Sequence, residues 1–139
     1  MATGTIEEIE HTADWAIRVR APDLPALFAL AAEGMFGLLT DLSTVERSRH
    51  VEIALRAIDV ETLLIDWLNE LLFLSEQNGI VFAEFAVDEL VVADGARLAA
   101  RAVGGRPREL NKVIKAATFH GLSIRQNAEG CQAELVFDV

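Results

Sequence analysis

Cysteine is almost absent from this 139-residue sequence, in which Cys131 is the single example. One thiol cannot form an internal disulfide or a thiolate metal cluster, and this agrees with a reducing compartment. The sequence also lacks any apolar run of the roughly 18 to 20 residues that a membrane span needs, and its first residues do not resemble a signal peptide. We therefore predict a cytoplasmic protein in which Cys131 has a packing role.

Basic residues are also few, since 12 Lys and Arg oppose 22 Asp and Glu and the formal net charge is −10. Binding to a nucleic-acid backbone is driven by clustered Lys and Arg. We therefore predict no tight direct binding of nucleic acid, so that any RNA in the biology of this protein would be held by a partner. The sequence has no G-x-S-x-G, H-E-x-x-H or glycine-rich phosphate-loop motif and no internal repeat.

Residues 60–77 carry the clearest helical pattern, because apolar side chains cover most of the helical wheel. Asp59 is a predicted N-cap, and Gly79 supplies the left-handed exit. A polar stripe remains on this helix at Thr62, Asp66, Asn69 and Glu70. We interpret the stripe as a solvated or lightly hydrogen-bonded face, with a partner-facing or supporting carboxylate pair as the alternative.

A second core helix is predicted over residues 24–39, with Asp23 as its N-cap. Period-two alternation predicts strands before and after the two helices, and Asp94-Gly95 predicts a hairpin turn. Further predictions are a flexible loop at residues 104–107 and closing strands at residues 113–119, 122–126 and 131–139. The sequence therefore predicts one α+β domain over residues 1–139, a two-layer sandwich of a mostly antiparallel sheet and two long helices.

Two lysines, Lys112 and Lys115, lie near His120 in the last third of the chain. Three residues apart on a predicted strand, the lysines would face opposite sides of the sheet. Lys115 and His120 could form an acid–base pair, although lysines on strands more often protect a sheet edge.

Five sequence blocks together resemble the archease family. They are Glu10-His11-Thr12-Ala13-Asp14, Leu39-Thr40-Asp41-Leu42, Trp67-Leu68-Asn69-Glu70-Leu71-Leu72, the block from Lys115 to Leu122, and Phe137-Asp138-Val139. They follow the family's order and span nearly the whole chain. As a combination they are far more specific than any one of them.

The resemblance implies a non-enzymatic activator of the RtcB-type tRNA-splicing RNA ligase, which promotes guanylylation of the ligase and its multiple turnover in tRNA splicing or RNA repair. It also implies a divalent metal, usually calcium, held by Asp14, Asp138 and Val139, with His11, Lys115 and His120 as candidate partner contacts. Two carboxylates and a further oxygen suit a hard cation such as calcium.

Three alternatives stay open. Asp14 and Asp138 could serve a small metal-dependent hydrolase, with His11 or His120 as proton carrier. Some archeases are described as chaperone-like modulators of a tRNA methyltransferase, which is a second possible partner. A purely structural or oligomerising domain would need no site. Turnover on phosphoesters, an effect on a partner enzyme, or neither would distinguish these three.

Overall fold

Two α-helices, a short 3-10 helix (Leu42–Thr44) and eight strands are the secondary structure of the residues that the computed structural model describes, 3–9, 15–111 and 113–139. The helices are α1 (Leu24–Leu39) and α2 (Val60–Asn78). The strands are β1 (Thr5–Ile9), β2 (Trp15–Ala21), β3 (Arg49–Ala57), β4 (Val81–Val92), β5 (Ala96–Gly105), β6 (Ala116–Thr118), β7 (Arg125–Asn127) and β8 (Gly130–Asp138). No helix in these residues is long and apolar enough to cross a lipid bilayer.

Both helices begin at the predicted caps. The Asp23 carboxylate accepts a hydrogen bond from the main-chain N–H of Ala26 at 2.9 Å, and Asp59 accepts one from Thr62 at 2.7 Å. The hydrogen bond from Thr62 lowers the pKa of Asp59, because it stabilises the ionised carboxylate. Gly79 ends α2 in the left-handed conformation, with φ of 64°. The predicted helices are confirmed, and α2 is one residue longer than predicted.

The strands form two antiparallel sheets. The five-stranded sheet has the order β1-β2-β8-β6, with β7 also paired to β8, and the three-stranded sheet has the order β3-β5-β4. Helix α1 contacts β2 and β4, whereas α2 contacts β3 and β6. Each helix therefore packs against both sheets, and a single hydrophobic core joins them. The predicted α+β class with mostly antiparallel pairing is confirmed.

Trp67 lies in the centre of this core and is fully buried. Its indole Nε1 donates a hydrogen bond to the main-chain oxygen of Phe28 at 3.0 Å, which ties α2 to α1. The ring of Phe85 packs edge-on against it, with 6.3 Å between the ring centroids. The buried indole therefore has a hydrogen-bond acceptor for its N–H group and a packed aromatic neighbour for its ring.

The flexible loop predicted at residues 104–107 is wrong in its first half. Gly104 and Gly105 are buried and form the end of β5. A Cβ atom on Gly104 would lie 2.1 Å from the main-chain oxygen of Val81. The two glycines are needed because the neighbouring backbone approaches too closely for a side chain. They provide space for this approach and do not make the segment flexible.

Two of the three predicted closing strands are also too long, whereas the last is observed with its start and end one residue earlier. Only residues 116–118 of the predicted 113–119 pair as β6, and the strand predicted at 122–126 is displaced to β7. Strand β4 contains two apolar runs on either side of Asp88, and it has register shifts at Phe82/Glu84 and Val87/Glu89. Bulges of this kind let one strand continue where the side-chain alternation breaks.

Candidate site at the end of strand β8

Asp138 is the last residue of β8 and is exposed, as is Val139 after it. The main-chain oxygen of Asp138 accepts a hydrogen bond from the main-chain N–H of Lys115 at 2.8 Å. Hydrogen bonding of its own carbonyl fixes the backbone of Asp138 while its carboxylate stays accessible. The predicted site residues Asp138 and Lys115 are therefore adjacent in the fold, although 23 positions apart in the sequence.

Lys115 immediately precedes β6, whose first residue Ala116 is opposite Asp138. The prediction that Lys115 lies on a strand is wrong, because pairing with β8 begins only at Ala116. Lys112 lies outside the described residues, so the predicted opposite orientation of the two lysines is not tested. The exposed Lys115 side chain belongs to a segment whose backbone is hydrogen-bonded to the end of β8.

His120 lies beyond the other end of β6. The Thr118 hydroxyl donates to the main-chain oxygen of Val136 at 3.1 Å and accepts from the His120 N–H at 3.3 Å, which holds the start of the following turn. Four residues, the three of β6 and Phe119, separate Lys115 from His120, and the extended β6 alone spans about 10 Å. The structure thus brings the main chain of Lys115 to Asp138, and the acid–base pair of Lys115 with His120 stays a prediction.

Two predicted site residues, His11 and Asp14, lie outside the described residues. Asp14 is bonded to Trp15, the first residue of β2, and Trp15 is opposite Phe137 in the sheet. Within residues 3–9, 15–111 and 113–139, no three His, Cys, Asp or Glu side chains converge as they would at a metal ion. Of the three predicted metal ligands, the structure therefore places only Asp138 and Val139.

Asn69 is a site residue whose role the sequence did not predict. From the polar stripe of α2, its carboxamide forms two hydrogen bonds with the main chain of Ala117 in the middle of β6. The Asn69 Nδ2 donates to the Ala117 oxygen at 3.1 Å, and its Oδ1 accepts from the Ala117 N–H at 2.8 Å. We call this pair of hydrogen bonds the Asn69 clamp. Its only sequence signal was its place on the polar stripe of a largely apolar helix.

Large apolar side chains are exposed close to these polar groups. Phe119, just after β6, is 55% exposed, and Val139 is 45% exposed. Exposed apolar side chains next to charged ones are typical of a protein contact surface. The combination fits a surface that binds another protein.

Clefts in the described chain lie at the start of β8 and also beside α2 and residues 107–114. One of about 560 Å³ is lined by residues that include Arg20, Arg125 and Cys131. Cys131 itself is buried, and burial raises the pKa of its thiol, as expected for the predicted packing role. Five residues of β8, 133–137, separate this cleft from Asp138, so the two features are distinct.

The Archease protein family (MTH1598/TM1083) matches residues 6–139 of the chain. The protein archease of Methanopyrus kandleri is 38% identical over 139 residues, which cover 96% of this chain and 98% of that protein. The protein archease of Methanosarcina barkeri is 36% identical, with 96% and 94% covered. This chain therefore belongs to the archease family.

Solved structures agree with this assignment. The solution structure of protein 1598 of Methanobacterium thermoautotrophicum superposes with a TM-score of 0.84 at 32% identity, covering 96% of this chain and 98% of that one. A crystal structure from Thermotoga maritima, described as an archease and possible chaperone, superposes with a TM-score of 0.57 at 19% identity and covers 94% of each chain. The Thermotoga protein supports the fold alone.

Proposed function

We propose that this protein is a non-enzymatic, cytoplasmic activator of an RtcB-type tRNA-splicing RNA ligase, which promotes guanylylation of the ligase and its multiple turnover. The observation that carries this proposal is the junction of β6 with the end of β8, which places Lys115 beside Asp138. Both residues belong to sequence blocks that carry the resemblance to the archease family. They lie on separate segments of the chain and meet only in the folded protein.

The surface around this junction suits a protein partner better than a small substrate. Asp138 and Lys115 are exposed rather than enclosed, and the apolar side chains of Phe119 and Val139 lie on the same two chain segments. Binding sites for small molecules are usually concave, whereas protein interfaces combine apolar anchors with a polar rim. The family assignment and this geometry together favour a role in protein binding.

Charge supports the choice of partner. A ligase that binds GTP and RNA phosphates needs a cationic cleft, and a protein with a net charge of −10 is complementary to such a cleft. Complementary charge speeds the encounter of the two proteins. The activator would act by binding one conformation of the ligase more tightly than the other, which shifts the equilibrium toward the competent form.

We also propose that Asp14, Asp138 and Val139 hold a divalent cation, with calcium as the best fit. The exposed carboxylate of Asp138 and the oxygens of Val139 are hard ligands of the kind that calcium prefers. Asp14 is bonded to Trp15, whose partner across the sheet is Phe137, the residue before Asp138. A bound cation would neutralise the carboxylates and fix their positions at the contact surface.

Calorimetry with calcium chloride tests the metal proposal. The wild-type protein should release or absorb heat with saturation, and Asp14→Asn and Asp138→Asn should each abolish the saturable heat. Asp66→Asn is the matched control, because Asp66 is an exposed carboxylate on α2 that is not among the proposed ligands. Equal heats for the wild type and Asp14→Asn would reject a shared site.

Multiple-turnover ligation by the cognate ligase with GTP and a divalent metal tests the proposed function. Addition of the wild-type protein should raise the number of turnovers, and Lys115→Ala or Asp138→Asn should reduce this stimulation while Asp66→Asn retains it. Stimulation of a tRNA methyltransferase without an effect on the ligase would favour the other partner. Turnover of phosphoester substrates by the isolated protein would favour the metal-dependent hydrolase.

A further inference from the structure

Strand β6 has an unusual means of support, because it is three residues long and lies at an edge of the five-stranded sheet. An edge strand presents a main-chain N–H and C=O on the side that has no neighbouring strand. For Ala117 both of these groups are bound by the Asn69 clamp. The half-buried carboxamide has one donor and one acceptor in use, as a peptide group of a neighbouring strand would have.

From this geometry we infer that Asn69 is a positioning residue, which replaces a missing strand beside β6 and thereby holds Lys115 against Asp138. The path from Asn69 to Lys115 is short. Ala117, which Asn69 binds, is opposite Phe137. Lys115, two residues before Ala117, donates its main-chain N–H to the main-chain oxygen of Asp138. The consequence of Asn69 for the ligase rests on the proposed function, whereas its effect on β6 does not.

Helix α2 can act as a rigid support because it is well anchored elsewhere. Trp67, two residues before Asn69, is hydrogen-bonded to Phe28 of α1, and Leu68 and Leu71 are fully buried. Loss of the Asn69 carboxamide would therefore release β6 without displacing the helix. This separates a positioning role from a general role in stability.

Amide hydrogen exchange measured by NMR tests the clamp. In Asn69→Leu, which removes both hydrogen bonds at similar size, the Ala117 and Lys115 amides should exchange about tenfold faster, the factor expected from one lost hydrogen bond. Amides in the interior of α2 should keep their wild-type rates. In Asn69→Asp, which keeps the acceptor and loses the donor, the increase should be smaller. Asp66→Asn, on the same polar stripe, should change neither amide.

A double-mutant cycle tests the functional consequence. If Asn69 acts through the position of Lys115, then Asn69→Leu should reduce ligase stimulation in the wild type and add little further loss in Lys115→Ala. A purely structural role would give losses that add, and that result would overturn the inference. Unchanged exchange at Ala117 and Lys115 in Asn69→Leu would also overturn it. If the wild-type protein has no effect on the ligase, the proposed function is rejected and the inference about β6 is not. The exchange rates of Ala117 and Lys115 would then test the Asn69 clamp by themselves.

Discussion

Trp67→Phe should weaken the contact between the two helices. The substitution removes the hydrogen bond to Phe28, which contributes about 1 kcal/mol. The smaller ring also leaves a cavity of roughly 40 Å³ in a fully buried position, which costs about 1 kcal/mol at ~24 cal/mol per Å³. With the lost transfer free energy, we expect the free energy of unfolding to fall by about 2 to 3 kcal/mol.

This loss corresponds to a fall in Tm of about 5 to 10 °C for a domain of this size. Thermal and urea unfolding followed by far-UV circular dichroism measure it. Phe73→Leu is the matched control, because Phe73 lies on the same helix and is 57% exposed, so its replacement should cost less than about 0.5 kcal/mol. A Tm within about 2 °C of wild type for Trp67→Phe would refute the central role given to the indole.

Three further predictions concern separate parts of the fold. Gly104→Ala should destabilise the protein, because its Cβ would overlap the main chain of β4. Gly37 lies on the exposed side of α1 with open space around it, so Gly37→Ala should raise the free energy of unfolding in urea by up to about 1 kcal/mol. Cys131 should react slowly with a thiol reagent at pH 8 in the native protein and rapidly in denaturant, because burial raises its pKa. The hydrogen bonds from Arg101 lower the pKa of Asp88, so their stabilising effect should be present above the unfolded pKa and be lost as the pH falls through the folded value. NMR titration of Asp88 should show a lower pKa in the wild type than in Arg101→Gln.

These three predictions fail under different outcomes. Equal stability of the two alanine variants would contradict the close approach at the end of β5. Rapid labelling of Cys131 in the native state would contradict its burial. An Asp88 pKa that does not change on removal of the Arg101 guanidinium would contradict the assigned cause.

The helices could be predicted from the sequence because their signals are local. Asp23 and Asp59 cap the helices that immediately follow them, and Gly79 ends α2 within its own turn. The apolar periodicity repeats over several turns in a helix of 16 or more residues. A single exposed apolar residue such as Phe73 therefore does not obscure the pattern.

Strand β6 could not be predicted in its true extent, because its support is not local. Asn69 lies 48 residues from Ala117, and nothing in the spacing of the polar stripe distinguishes it from the exposed Asp66. The same limit applies to Gly104, where the obstructing atom belongs to Val81. Sequence blocks located Asp138 and Lys115, and only the fold showed that they are neighbours.

The most direct test of the proposed function is the rate at which the cognate ligase becomes covalently labelled with GMP in the presence of a substoichiometric amount of this protein. We expect the wild type to increase the labelling rate, Asp138→Asn and Lys115→Ala to increase it much less, and Asp66→Asn to behave as the wild type. A labelling rate that the wild-type protein leaves unchanged, or that Asp138→Asn raises equally, would contradict the account.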